Sequence, residues 1–546
     1  MIFSHITQNA GEVASIATAI AYQSDALGCY QQLQAQTPYS LLLESAEINS
    51  KDNLKTLLLV DAALRIECHG LRVSVSAVSD NGRHLLDFIA AGLGQTAQVE
   101  QLSAQALQIT FQLPNPLLDE ESRLQHPTPL SVLRFLQQQL KSQSDEPFAV
   151  FLGGVIGYDY VATAESLPQV PVGANQCPDY LFYLAETLLV LDHQQKSARL
   201  VGNVFCGEHA MQSCFAIGKR LEQLSQLLQQ PQSFTPPAVA AVSPSALQVD
   251  ISDEDFIAQV EQLKHNIIAG DVFQVVPSRC FSLPCPSPLA AYARLKQQNP
   301  SPYMFYLQDP AFVLFGASPE SALKFCAANR EVEIYPIAGT RRRGFNAQGQ
   351  LDMDLDSRIE LDLRQDDKEK AEHLMLVDLA RNDVARIAVP GSRYVKELLK
   401  VDRYSYVMHL VSRVVGTLKP ELDALHAYQA CMNMGTLVGA PKVRAAELIR
   451  QVEGKTRGSY GGAVGYLSGN GDFDSCIVIR SAYVAAGRAH VQAGAGVVFD
   501  SVAKAEADET RSKAQAVLSA ILAAHASAIL ADHAATPAAT TKGVQA

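Results

Sequence analysis

Helical and strand-like runs follow one another irregularly along this chain, and that irregularity limits the folds open to it. The chain opens on a helix. Short apolar or alternating runs then read as strands: SLLLESAEI (40–48), LKTLLLV (54–60) and LRVSVSAVS (71–79). Later, Ser252 and Asp255 form a capping-box-like start. Phe256, Val260, Leu263 and Ile267 recur at helical spacing, and Gly270 ends the run. FQVVPSR (273–279) follows as a strand. DSCIVIRSAYV (474–484) and HVQAGAGVV (490–498) flank Gly487 as a hairpin, and an Ala-rich helix starts near 502. Strict βαβ alternation is missing, which argues against a doubly wound parallel sheet. The expected class is α+β, a large sandwich of antiparallel or mixed sheets with outer helices.

A Pro/Ala/Ser-rich stretch at 230–247 reads as a linker. It separates an N-terminal region, 1–229, from a second domain, 248–530. Residues 531–546 lack periodicity and are expected to be a disordered tail. A net charge of −12 argues against binding nucleic acid or an anionic membrane. The N-terminus lacks a signal-peptide pattern, and no run approaches about 20 apolar residues, so a cytoplasmic protein is expected. The ten cysteines include no CxxC pair and fit free thiols in a reducing compartment. The chain has no Trp, which is either chance or a composition that suits a protein made when tryptophan is scarce.

Two segments repeat one spacing. Glu369 and Glu372 lie three apart, as do Glu506 and Glu509, so each pair shares a helix face. Two such faces turned toward each other would make an oxygen-rich Mg²⁺ site. Spacing alone favours two solvated faces paired with Lys368, Lys370, Arg511 and Lys513. The glycines of QAGAG (492–496) would let backbone amides approach a carboxylate, or simply make a turn. GTLVGAPK (435–442) lacks the nucleotide-loop pattern, because Ala440 and Pro441 separate Gly439 from Lys442. The arginines of PIAGTRRRG (336–344) read as a flexible basic loop. Arg480, placed inside a strand, needs a partner, and a ligand carboxylate is a natural one.

SPYMFYL, FGASPES, PIAGTRRRG, EHLMLVDLARND, RYSYVMHLVS, GTLVGAPK, GSYGGAVGY, CIVIRSA, QAGAGVVFDS and EADET occur in this order. Together, from about 41 to about 523, they resemble the chorismate-utilising enzymes, and within them the large subunits of anthranilate synthase. The resemblance implies Mg²⁺ at Glu372 and Glu509, with Glu506 and Glu369 holding its waters. It implies His409, Glu369 and Thr436 as catalytic. Gly339, Thr340, Tyr460, Arg480 and the amides of Gly494, Ala495 and Gly496 would contact chorismate. The implied reaction converts chorismate and ammonia to anthranilate and pyruvate, the first committed step toward L-tryptophan. Ammonia would come from a separate glutamine amidotransferase subunit, in a heterotetramer. Glu44, Ser45, Lys55, Pro302, Tyr303 and Met304 would form a tryptophan feedback site.

Relatives that add water carry a lysine base where Gln274 stands, and aminodeoxychorismate synthases carry a lysine where Ala338 stands in PIAGT. Both positions speak against those activities. A catalytically inactive tryptophan sensor is the remaining rival, disfavoured by the four glutamates. Val438 stands where the family usually has Ser, which puts the contribution of that loop in doubt.

Overall fold

Strand pairing brings the distant motifs together. The computed structural model describes residues 6–34, 36–45, 54–115, 117–230, 232–237, 240–346, 348–404 and 407–526. The expectation for 531–546, and the last residues of the 40–48 run, lie outside them. Among the described residues, twenty-three strands join into one ladder, nearly all of it antiparallel.

The ladder doubles back on itself. Tyr303–Gln308 pairs with Ser40–Glu44, which pairs with Lys55–His69. Tyr180–Asp192, Phe151–Ile156, Ala463–Ser468 and Phe473–Ile477 follow in turn. On its other side Tyr303–Gln308 pairs with Val313–Ser318, which pairs with Ser481–Ala485. Phe473–Ile477 pairs with Ser321–Cys326. Two chain segments therefore cross between the limbs side by side, one at Pro319 and Glu320, the other at 478–480. Leu41, Leu59, Phe151, Tyr183, Phe305 and Val464 fill the interior between the limbs. Outer helices cover the remaining faces. Ala210–Leu228, Pro288–Gln298 and Ala503–Ala524 bury apolar stripes on one limb, and Asp253–Ile268, Asp367–Ile387 and Lys442–Glu453 on the other. The expected α+β sandwich with outer helices is what the structure shows.

The ladder crosses the expected boundary at 230–247 twice, through Ser40–Glu44 with Tyr303–Gln308 and Phe151–Ile156 with Ala463–Ser468. The stretch itself is strapped down: Phe234 N donates to Asp25, and Val242 N to the carbonyl of His525.

Three local expectations change. Among the described residues the first element is a strand, Glu12–Ile20, and the first helix is Ala26–Gln34. Val13, Ile16, Thr18 and Ile20 are β-branched, and the segment pairs with Ser197–Phe205 along its length. FQVVPSR is broken: Gln274–Val275 pairs with Gly439–Ala440, and a new strand, Ser278–Pro284, starts after Pro277. Arg480 is not within a strand. It occupies the second crossover at φ 47°, a left-handed conformation that non-glycine residues adopt rarely.

A buried ion pair ties the ladder to the helices. Glu453 and Arg457 are almost fully enclosed, at 0% and 1% side-chain exposure. Ser278 donates to Glu453 through N and Oγ, both at 2.8 Å, and Arg457 donates to the carbonyls of Leu437 and Val276. Arg457→Met leaves the carboxylate buried without its cation. A loss of about 3–5 kcal/mol is expected, measurable by urea unfolding.

Candidate active site

Each acidic pair begins a helix. Asp366 caps Asp367–Ile387 by accepting from Glu369 N at 3.1 Å, and Glu506 lies in the first turn of Ala503–Ala524. Burial raises the pKa of Glu372; Lys368 opposes that, and Glu369, Glu506 and Glu509 add to it. Burial likewise raises Glu506, with Ser501 opposing and Glu509 adding. Four carboxylates from two distant segments thus share one electrostatic neighbourhood.

Cations meet part of that charge. Arg341 donates to Glu369 at 2.7 Å, Lys513 pairs with Glu509 at 2.6 Å, and Lys368 stands 3.8 Å from Glu372. Glu506 Oε2 is buried without a hydrogen-bond partner. An orphaned carboxylate oxygen among like charges suits a divalent cation. Among the described residues, no three ligand-type side chains are gathered tightly enough to grip an ion as they stand.

The next strand places the other groups. Gly339 has φ 81°, and a Cβ there would lie 3.2 Å from Glu369 Oε2, so glycine is needed for both conformation and space. Thr340 Oγ1 lies 2.9 Å from His409 Nδ1, because Ile337–Arg342 pairs with Val407–Thr417. His409 Nε2 is buried without a partner. Burial, reinforced by the charge of Arg480, lowers the His409 pKa to about 3, so the ring is neutral. Arg480 makes no ion pair or side-chain hydrogen bond among the described residues, and burial depresses its pKa while Glu320 holds it up. A guanidinium so placed is a site for an anion.

Thr436 donates to Glu320 at 3.2 Å. Tyr460 is buried, and its hydroxyl lies 3.0 Å from where a Cβ on Gly494 would sit. The Ala495 amide is engaged by the carbonyl of Pro277 at 3.1 Å, so it is not available to a substrate as it stands. Gly496 is packed so closely on Gln274 that a Cβ there would come within 2.7 Å of Nε2, and Gln274 Oε1 is buried and unsatisfied.

A cavity of about 490 Å³ lies between the limbs, and Glu44, Ser45, Lys55, Pro302, Tyr303 and Met304 all line it. The ladder explains their meeting, since Glu44 stands directly opposite Met304. Tyr292 and Lys296 hold the Glu44 carboxylate at 2.6 and 2.5 Å. Ser45 Oγ is buried without a partner.

Comparison with known proteins gives the family. The family model described as chorismate binding enzyme matches residues 89–519. Anthranilate synthase component 1 of Vibrio cholerae is 57% identical over 93% of this chain and 96% of its own. That of Escherichia coli is 57% identical over 92% and 96%. The chain belongs to the anthranilate synthase component 1 family of chorismate-binding enzymes. A solved family member, anthranilate synthase component I from Streptococcus pneumoniae, superposes with a TM-score of 0.64 at 29% identity, over 86% of this chain and 93% of that one. The menaquinone-specific isochorismate synthase of Escherichia coli shares the fold, with a TM-score of 0.65 at 17% identity, over 95% and 96%.

Within this candidate site, some residues had no signal in the sequence. Glu320 sits at the first crossover beside Arg480, bonded to Thr436; burial raises its pKa and the charges of Lys513 and Arg480 oppose that. Lys513, read as a surface partner, also donates to the Gly494 carbonyl at 3.1 Å and so ties the second acidic helix to the glycine loop. The basic stretch is ordered, not a flexible loop: Arg341 binds Glu369 and Asp366, and Arg343 binds Asp356. Val438 is 2% exposed within the apolar core, so its side chain packs rather than facing the carboxylates.

Proposed function

We propose that this chain aminates chorismate with ammonia and releases pyruvate, giving anthranilate for tryptophan synthesis. The carrying observation is the convergence of four carboxylates, an unpaired guanidinium and a neutral histidine. Glu372, Glu509 and Glu506 would hold Mg²⁺, with Glu369 behind its waters. Bound there, the ion would act as a Lewis acid toward the ring carboxylate of the substrate.

The chain's own residues then divide the work. Arg480 takes the second carboxylate of the dianion, offsetting its own unpaired charge. Ammonia adds at C2 as the C4 hydroxyl departs, and Glu369 supplies a proton to that leaving group. Loss of pyruvate requires removal of the C2 proton. His409 is placed for this, with Nε2 free and Nδ1 oriented by the Thr340 hydroxyl. Dianion binding neutralises Arg480 and so removes one of the two influences that depress His409, making the ring a better base once substrate is present. Gln274 and Ala338 leave neither of the lysines that other chorismate chemistries use.

Purified chain with chorismate, Mg²⁺ and ammonium should produce fluorescent anthranilate. Isochorismate or aminodeoxychorismate as the end product would overturn the assignment. With glutamine in place of ammonium, activity should require the separate amidotransferase subunit. A cytoplasmic heterotetramer is the assembly proposed.

The cavity between the limbs is proposed to bind L-tryptophan as a feedback inhibitor. The protein has no Trp of its own, so added tryptophan would be the sole indole present. Its emission should shift on saturation with protein and return on dilution. Unshifted emission, together with activity insensitive to tryptophan, would remove this part.

A further inference from the structure

Tyr303 and Asp474 both line the cavity between the limbs, and the Tyr303 hydroxyl donates to Asp474 Oδ1 at 3.0 Å. The hydroxyl is also within hydrogen-bonding reach of Ser321. Tyr303 and Asp474 belong to opposite limbs. Between their strands the ladder runs the long way round, through Ser40–Glu44, Lys55–His69, Tyr180–Asp192, Phe151–Ile156 and Ala463–Ser468.

The two groups it meets lie close to the crossovers. Ser321 is bonded in sequence to Glu320. Asp474 is the second residue of the strand Phe473–Ile477, which ends three residues before Arg480. The strands on either side of the crossovers are paired, Ser321–Cys326 with Phe473–Ile477 and Val313–Ser318 with Ser481–Ala485. A shift of one crossover relative to the other must therefore act on Glu320 and Arg480 together. Packed interiors move between discrete arrangements rather than deforming smoothly, so one repositioned strut can be felt at both crossovers.

We infer that the Tyr303–Asp474 hydrogen bond is the link by which a ligand in the cavity acts on the substrate-binding crossovers. This rests on the proposed reading of the cavity as a tryptophan site. Tryptophan beside the Tyr303 ring would favour one position of its hydroxyl, and Asp474 would carry that choice to Arg480. Coupling of this kind is reciprocal, so chorismate must weaken tryptophan by the same factor that tryptophan weakens chorismate.

That reciprocity allows a test without turnover. Tryptophan is titrated by its indole emission into the full chain with Mg²⁺ and no ammonium, with and without saturating chorismate. Wild type should show a weakening of about 10-fold or more, within the usual range of coupling energies. Whatever their own affinity for tryptophan, Tyr303→Phe, which keeps the ring, and Asp474→Val, which suits a strand, should each reduce the chorismate effect on that affinity to less than about 2-fold, set against that range. The double variant should match the singles, because all three remove one bond. Full coupling in either single variant would overturn the link. So would loss of tryptophan binding in Asp474→Val, which would make Asp474 a ligand contact. Absence of tryptophan binding or of coupling in wild type would instead defeat the reading of the cavity itself.

Discussion

Glu372→Gln should lower anthranilate formation by about 10³-fold or more, equivalent to about 4 kcal/mol of transition-state stabilisation. Glutamine keeps the shape of glutamate but removes a full charge from the site proposed to hold a divalent ion. The loss should persist at saturating Mg²⁺, since the variant ion would sit in a weaker field. A deficit that excess Mg²⁺ restores completely would mean that Glu372 governs affinity alone.

The same crowding predicts a stability signature that needs no catalysis. Burial and like charges raise the pKa of Glu372 and Glu506 in the fold. A carboxyl with a raised folded pKa binds more protons folded than unfolded, so its charge costs stability at neutral pH. Acidification down through the raised pKa relieves that cost. A divalent cation should relieve it at neutral pH by another route. Mg²⁺ is therefore expected to raise the melting temperature at pH 7.5 and to do so much less near pH 5, where protons compete for the same oxygens. In Glu372→Gln the difference between the two conditions should shrink, because one of the competing carboxyls is gone. Equal stabilisation at both pH values would show that Mg²⁺ acts elsewhere.

How much of this was legible in the chain differs by residue. The helices carrying the four glutamates were readable, because helix propensity and apolar periodicity are local. That the two faces meet was not, since it depends on two helices starting from neighbouring parts of a doubled ladder. The residues proposed to bind tryptophan came only through resemblance, and pairing of Glu44 with Met304 across some 260 residues supplies the physical reason that they meet. Glu320 escaped notice because FGASPES reads as a strand and a turn. Its importance lies in crossing between limbs beside the second crossover, a relation with no local signature. Arg480 was identified as needing a partner but was placed in a strand. CIVIRSA is apolar and β-rich on both sides, so nothing marks the break. The left-handed backbone at Arg480 comes from the pairing of its flanks with two different strands. The opening segment EVASIATAI was misread for a related reason: its partner lies some 190 residues away, and a strand is only as visible as its neighbours.

Arg480→Met offers the sharpest separation of function from stability. Methionine keeps much of the length and apolar stem while deleting the charge. The rate constant kcat/KM for chorismate should fall about 10²-fold or more, mainly through KM, because a bidentate charge-assisted pair to a carboxylate is lost. Arg480→Lys should recover little of it, since an ammonium cannot reproduce the planar fork. Stability should move the other way. An unpaired buried guanidinium is a liability that the fold carries for its ligand, and removing it should raise the urea midpoint. The His409 ring gives a third reading. In wild type its pKa is lowered to about 3, by burial first and by Arg480 second. Deleting the charge should therefore shift the imidazole titration upward, visible by NMR, while burial keeps it below that of a free histidine. A dianionic ligand added to wild type should shift the ring in the same direction. If Arg480→Met were instead less stable, with KM and the His409 titration unchanged, the guanidinium would be a structural counter-ion to Glu320, and the anion would have to be held elsewhere.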